Sequence, residues 1–276
     1  MRDVLKTRQG KLAARRRKRA AFLLLFFAAA AGIVFSVLSF VSQLDSLSID
    51  SVAIKGNARI PSSALENIAL EEMAGNDLGF FSRRNIFLYP KSDIRGAVAA
   101  LPLVKAASVG RDGARTLLIS VTERDETALW CAGLTPDTGC FSMDDDGFIF
   151  DGQPHEDPQL IKYRGLVASD PVGKHFLPAD EFRKISFFMN QLSGLSIEPR
   201  EAVFSGTSTA LYMTIKLAGG GDLIVNSEDD LSAVLSNIAA VISNKAVAPS
   251  LSEFLLNLDY MKLDIGNKVV YKLKPR

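Results

Sequence analysis

"LVKAASVGRDGARTLLISVTER", Leu103 to Arg124, reads as two strand-forming runs placed around Asp112-Gly113. In the second run Leu117, Ile119 and Val121 alternate with Leu118, Ser120 and Thr122. That period of two is the mark of a strand with one buried face. Asp-Gly between two such runs is a signal for a two-residue hairpin. Working backward, Pro102 stops a helix that begins near Ser92-Asp93 and carries Ile94, Ala97, Val98 and Leu101 on one face. An earlier helix has Leu65, Ile68, Ala69 and Met73 on one face, Ser63 and Glu66 at capping-box spacing, and Gly75-Asn76 as its stop. Before it, Val52 and Ile54 alternate in a brief strand that ends at Gly56-Asn57. Strand, helix, helix, strand, strand in so few residues predicts a small α+β module, with two helices on one face of a three-stranded sheet. The connection between the helices, "DLGFFSRRNIFLYP" (77–90), is a loop rich in aromatic and basic residues.

Working forward from Thr127, the chain is strand-rich. "CFSMDDDGFIFD" (140–151) reads as two short strands around an acidic turn. "PADEFRKISFFMNQLSGL" (178–195) is a helix that buries Phe182, Ile185, Phe188, Met189 and Leu192. "TALYMTIKLAGGGDLIVN" (209–226) is a hairpin, with Tyr212, Thr214 and Lys216 alternating against Leu211, Met213, Ile215 and Leu217. "SEDDLSAVLSNIAAVIS" (227–243) is a helix capped by Ser227 or Asn226, and "EFLLNLDYMKLDIGNKVVYKLK" (253–274) is the last pair of strands. The fold class is therefore α+β throughout, with a second, β-rich domain that contains two or more helices.

Charge separates this body from what precedes it. The first nineteen residues hold nine of the 32 Lys and Arg and one of the 31 Asp and Glu, so the remainder is acidic. Between tail and body lies "AAFLLLFFAAAAGIVFSVLSFV", Ala20 to Val41, without a charge. As a helix it is about 33 Å long, enough for a hydrocarbon core of about 30 Å. The basic tail beside it predicts a cytoplasmic N-terminus and an external body. A cleaved signal peptide has an apolar region of only about 7–15 residues, shorter than this one, so a retained span is expected. "RRRKR" (15–19) is also a pattern of nucleic-acid-binding segments, but abutting a span it reads as a topology signal, and no nucleic-acid partner is expected.

Cys131 and Cys140 fall in the external part and flank "AGLTPDTG", whose Pro136-Asp137 and Gly139 can turn the chain. In an oxidising compartment a bridge between them is expected; two unpaired thiols are the alternative. Catalytic and metal-binding patterns are thin. His155 and His175 are not at metal spacing with the cysteines. "HED" (155–157) is a polar loop. "DDDG" (144–147) lacks the ligand spacing of a calcium loop. "AGGGDL" (218–223) joins two strands and offers no helix N-terminus to a phosphate. No catalytic residue, cofactor or metal is assigned, and the chain is expected to bind other proteins rather than to be an enzyme.

The order of these parts resembles the FtsQ/DivIB family of bacterial cell-division proteins. The resemblance rests on "VAIKGNARIP" (52–61), "LPLVKAASVGR" (101–111) and "TLLISVTER" (116–124), which are similar to a POTRA domain, and on "TALW" (127–130) and "MDDDGFIF" (143–150), which are similar to the start of the family's β domain. It implies a cytoplasmic tail over 1–19, a transmembrane helix over 20–42 in the lipid bilayer, a POTRA domain over 47–125 and a β domain over 126–276. The chain departs from the family at Ala114 and Glu126, where Pro is frequent, and at Lys262-Leu263-Asp264, where the charges are reversed. By resemblance the protein is a non-enzymatic scaffold at the division septum of the inner (cytoplasmic) membrane. It would recruit small bitopic partners of the FtsB and FtsL kind, together with other divisome proteins, and so link cytoplasmic-side division proteins to septal wall synthesis. The alternative is a POTRA-bearing factor for export or envelope assembly.

The C-terminal residues suggest where a partner would bind. Gly266-Asn267 is a turn signal that folds "KVVYKL" (268–273) back on "YMKLDI" (260–265), and too little chain follows to cover the new edge. Lys268, Lys272 and Lys274 are charges of the kind that protect a bare edge. The same edge is also suited to accepting a partner strand. The family resemblance favours the second use, with Val269, Val270, Tyr271 and Lys272 as the contact and Tyr271 as its anchor.

Overall fold

The computed structural model describes residues 2–133, 139–155, 157–165, 170–207, 210–227, 229–265 and 268–275. The chain divides into two compact units, one of residues 1–101 and 106–122, the other of 102–105 and 123–276.

The first unit starts with one long helix, α1 (Arg2–Ser42). Its segment Ala21–Ser42 is the one helix among the described residues long and apolar enough to cross a membrane. Then come β1 (Ser51–Lys55), α2 (Ser62–Glu72), the two-residue strands β2 (Asn76–Asp77) and β3 (Phe81–Ser82), α3 (Lys91–Ala99), β4 (Val104–Arg111) and β5 (Thr116–Glu123). The sheet order is β1-β5-β4, with β1 parallel to β5. Leu117, Ile119 and Val121 are buried, as the alternation requires, and so are Leu65, Ala69, Ile94 and Val98 of the two helices in the same unit. Gly56 has φ 84°, and a Cβ there would run into the Val121 carbonyl oxygen, so "KGN" admits no side chain at this turn.

Three local expectations fail here. The stretch 77–90, expected as a loop, contains most of the short antiparallel hairpin β2–β3, with Asp77 opposite Phe81. The helix α2 begins at Ser62 with Pro61 as N-cap and no side-chain cap, so Ser63 and Glu66 form no capping box. Pro61 already sets the extended entry, and the Ser62 hydroxyl is taken by Asn57 Nδ2 at 3.0 Å. The β4–β5 connection runs over four residues, 112–115, with Gly113 at φ 88°, instead of the two-residue turn that Asp-Gly suggests. The Asp112 N–H closes it on the Thr116 carbonyl at 3.0 Å.

The second unit is one ten-stranded sheet with helices packed on it. Its strands are β6 (Ala128–Ala132), β7 (Cys140–Met143), β8 (Phe148–Asp151), β9 (Lys162–Gly165), β10 (Lys174–His175), β11 (Pro199–Thr207), β12 (Ala210–Leu217), β13 (Asp222–Asn226), β14 (Leu258–Ile265) and β15 (Lys268–Leu273). They lie in the order β10-β8-β7-β6-β9-β11-β12-β13-β14-β15. The helices are α4 (Ala179–Gly194), α5 (Leu231–Ser243) and α6 (Leu251–Asn257). The five residues expected on the inner face of α4 are each at most 1% exposed. They meet Met213, Ile215, Leu223, Val225 and Met261 from the sheet in one continuous core. Burial on this scale, at about 25 cal/mol per Å² of apolar surface, is what holds a sheet of non-local strands together.

Sequence patterning misplaced three elements of this unit. "PREAVFSGT" (199–207) is a strand, β11, at the centre of the sheet, and no expectation covered it. The N-cap of α5 is Asp230, whose carboxylate accepts from the Ser232 N–H at 3.0 Å, rather than Asn226 or Ser227. "EFLLN" (253–257) is helical rather than part of the last strand pair. Ser250 caps it through the Glu253 N–H, a Ser-x-x-Glu start that outweighs the apolar run behind it.

Candidate protein-binding edge

The strand β15 ends the sheet order, so one of its edges is paired to β14 and the other is not paired within the sheet. The pairing is antiparallel, with Tyr260 opposite Lys272, Met261 opposite Tyr271 and Lys262 opposite Val270. The turn expected at Gly266-Asn267 lies outside the described residues. Below β14 the structure is tight. Gly221 has φ 97°, and a Cβ there would come within 2.6 Å of the Leu258 carbonyl oxygen, so the β12–β13 turn and the start of β14 fit only with glycine at that point.

Alternation divides the four expected contact residues between two faces. Val269 is half-buried and packs against the core. Tyr271 lies on the same face, its ring edge-on to Phe254 of α6 with centroids 5.5 Å apart, and stays 38% exposed. Val270 (44% exposed) and Lys272 take the other face. Lys272 Nζ donates to the Asp259 carboxylate at 2.8 Å and lies 5.8 Å from the Tyr260 ring centroid. The hydrogen bond to Asp259 holds the Lys272 ammonium above its ordinary pKa, so it stays a cation at the edge. The end of the strand is tied down: the Lys274 N–H donates to the Asn257 carbonyl at 2.8 Å and its Nζ to the Leu256 carbonyl at 2.9 Å. Leu256 and Leu273 add exposed apolar surface beside Tyr271. The edge is thus a fixed strand with a hydrophobic side and a cationic side.

Sequence reading missed the residues that hold this geometry, Phe254 and Asp259. The signal for the first was Ser250-x-x-Glu253, which turns Phe254 into a helical residue facing the sheet. The signal for the second needs the register, because Asp259 meets Lys272 only across the β14–β15 pair.

The other candidate residues lie elsewhere. Cys131 and Cys140 stand opposite each other on β6 and β7 and form a disulfide. His155 Nδ1 is 2.9 Å from Glu126 Oε2, its side chain in solvent. His175 is on β10, its ring edge-on to Phe148. Asp144, Asp145 and Asp146 are the one group of this kind among the described residues whose carboxylates converge. Each is held by a cation of the protein: Asp144 by Arg124, Asp145 by Lys105 at 2.6 Å and Asp146 by Arg183. Asp144 also accepts the N–H groups of Asp146 and Phe148, which makes the segment a turn.

Residues 47–124 match the family described as "POTRA domain, FtsQ-type". The chain is also similar to the "Cell division protein FtsQ" of Shewanella oneidensis, 27% identical over 167 residues. That alignment covers 59% of this chain and 56% of the relative, so the chain matches little more than half of the relative's length.

Proposed function

We propose that this FtsQ/DivIB-family protein is a non-enzymatic scaffold of cell division that captures a small bitopic partner of the FtsB or FtsL kind on β15. The reading rests on one observation above all. A six-residue strand closes a ten-stranded sheet, stays unpaired on its outer side within that sheet, and carries the exposed Val270 and Tyr271. A partner segment added there would satisfy the free backbone groups, while side-chain contacts select it. Tyr271 is the anchor, since a rigid aromatic loses little entropy on binding and aromatics are enriched at hot spots. The tail over 1–19 lies in the cytoplasm, residues 20–42 cross the inner membrane at the septum, and the domains over 47–125 and 126–276 stand outside. The scaffold thereby joins cytoplasmic division proteins to septal wall synthesis.

Two proline variants test the capture. Adjacent residues of a strand direct their N–H groups to opposite edges, so one of Val270→Pro and Tyr271→Pro removes an outward donor and the other removes a bond to β14. The outward variant should keep the melting curve of the unaltered chain and lose partner capture by about tenfold or more, since an unsatisfied group at a dry interface costs about 1–3 kcal/mol. Undiminished capture by both prolines, or by a chain lacking Lys268–Leu273, would reject the edge. Topology is tested separately, by alkaline phosphatase fused after Lys162: an active fusion places the body outside, and a stable but inactive one reverses the arrangement. Depletion of the protein should give filaments; envelope defects at normal cell length would favour export or assembly instead.

A further inference from the structure

The hairpin β2–β3 has no part in the edge just described. Its contacts run to the membrane helix. Phe35 of α1 stands edge-on to the rings of both Phe80 and Phe81, with centroids 5.2 and 5.3 Å away. Ser39 Oγ donates to the Phe80 carbonyl at 2.8 Å, and Gln43 Nε2 donates to the same oxygen at 3.1 Å. Behind them Asn85, only 3% exposed, donates through Nδ2 to the Ser42 carbonyl at 3.1 Å. The hairpin is therefore bolted along the side of α1, not suspended beyond its end.

Its depth follows from helix geometry. Phe35 precedes Ser42, the last residue of the apolar segment, by seven residues, about 10 Å along the axis. Helical side chains also lean toward the N-terminus, away from the body. A ring packed on Phe35 thus sits within the outermost third of a span about 33 Å long. Amphipathic elements that lie on a membrane bury their apolar face about 5–10 Å, the same depth.

The hairpin's free surface has the matching chemistry. Leu78 at the tip is 85% exposed and Phe80 is 52% exposed. Leu78 also has φ 53°, followed by Gly79 at φ 77°. A leucine in the left-handed region is uncommon, and here it sits at the tip of a turn, where it faces out. We propose that β2–β3 is a membrane foot: Leu78 and Phe80 insert at the headgroup–acyl boundary of the leaflet on the body side, beside the helix of their own chain. The occupant of this surface is lipid, because the apolar segment it continues is the one that crosses the bilayer. With two attachments, span and foot, the first unit cannot swivel freely about Ser42.

The test uses the full-length chain in vesicles, with its disulfide intact and a single fluorophore-labelled cysteine. A label at Leu78 should lose most of its emission to a lipid whose nitroxide is high on the acyl chain, and little to aqueous iodide. A label at Phe27 should instead be quenched by a nitroxide near the chain's methyl end. Phe80→Glu, with an unchanged circular dichroism spectrum, should transfer the Leu78 label from lipid to iodide quenching. Strong iodide quenching of Leu78 in the unaltered chain overturns the foot. Shielding from both quenchers also overturns it, by placing protein instead of lipid over the tip. An unquenched Phe27 removes the span and the foot together.

Discussion

The two edges of the ten-stranded sheet are handled differently. At one end β10 has two residues, Lys174 and His175, both exposed and polar. Its neighbours return at once to the sheet, with the Gly173 N–H on the Ile149 carbonyl at 2.8 Å and the Phe176 N–H on the Gly147 carbonyl at 2.9 Å. An edge this short and charged offers no template to another strand. At the other end β15 runs for six residues and exposes Val270, Tyr271 and Leu273. A sheet that blunts one edge and leaves the other long and partly apolar has the asymmetry expected of a docking strand.

The largest effect expected on this comparison comes from removing what supports both edges. Phe182 is 1% exposed and packs on Tyr163, so Phe182→Ala should destabilise the second unit by about 3–5 kcal/mol. Denaturant melts would show it, and partner capture should fall only with the unfolded fraction. Loss of capture at temperatures where the variant is fully folded would mean that the core shapes the edge directly. Next in size is Tyr271→Ala, which removes the proposed anchor and its contact with Phe254. Capture should weaken by about 2 kcal/mol or more in a calorimetric titration, with stability nearly unchanged. The same substitution at His175, on the blunt edge, should leave capture alone; equal losses at both would end the distinction.

A third effect, on stability and not on capture, is confined to the β6–β7 side. Replacing Cys131 and Cys140 by serine opens a loop of about ten residues and should cost about 2–3 kcal/mol on the chain-entropy model, without altering capture per folded molecule. Thiol labelling of the unfolded, unreduced chain should find no free thiol. The smallest effect concerns the exposed ion pairs. Lys272 has its pKa raised by Asp259, so its contribution is present below the ordinary lysine value and is lost only as pH rises through the higher folded one. Asp145 has its pKa lowered by the hydrogen bond from Lys105, so its contribution is present above the ordinary carboxylate value and is lost as pH falls through the lower folded one. Neither group titrates between about pH 5 and 9, and melting temperature should not respond to these pairs across that range. Lys272→Ala should change the salt dependence of capture more than its strength.

The legible parts of the chain are those where one residue's neighbours in sequence are also its neighbours in space. The apolar Ala20 to Val41, the buried face of α4 from Phe182 to Leu192, and the alternation of Leu117, Ile119 and Val121 all follow from a local period. Failures occurred where two local signals competed. Asp-Gly pointed to the tightest hairpin, while the Arg115 carbonyl is taken by the Asp50 N–H at 3.0 Å at the start of the β1–β5 pairing. "EFLLN" had strand composition, but the Ser250 cap fixed it as a helix. "PREAVFSGT" gave too little signal because its partners, β9 and β12, lie on either side of it in the sheet and the chain supplies only one of them nearby.

The sequence by itself determined the long apolar segment, the two helices and three main strands of the first unit, the core face of α4 and the presence of a strand at residues 268–273. All of these depend on periodicity, charge and length, which a chain carries without folding. Tertiary structure alone decided that Tyr271 rests on Phe254 and Lys272 on Asp259, and that Phe80 and Phe81 stand beside Phe35. Those are contacts between residues distant along the chain, and their geometry exists only once sheet register and helix packing have fixed which surfaces remain uncovered.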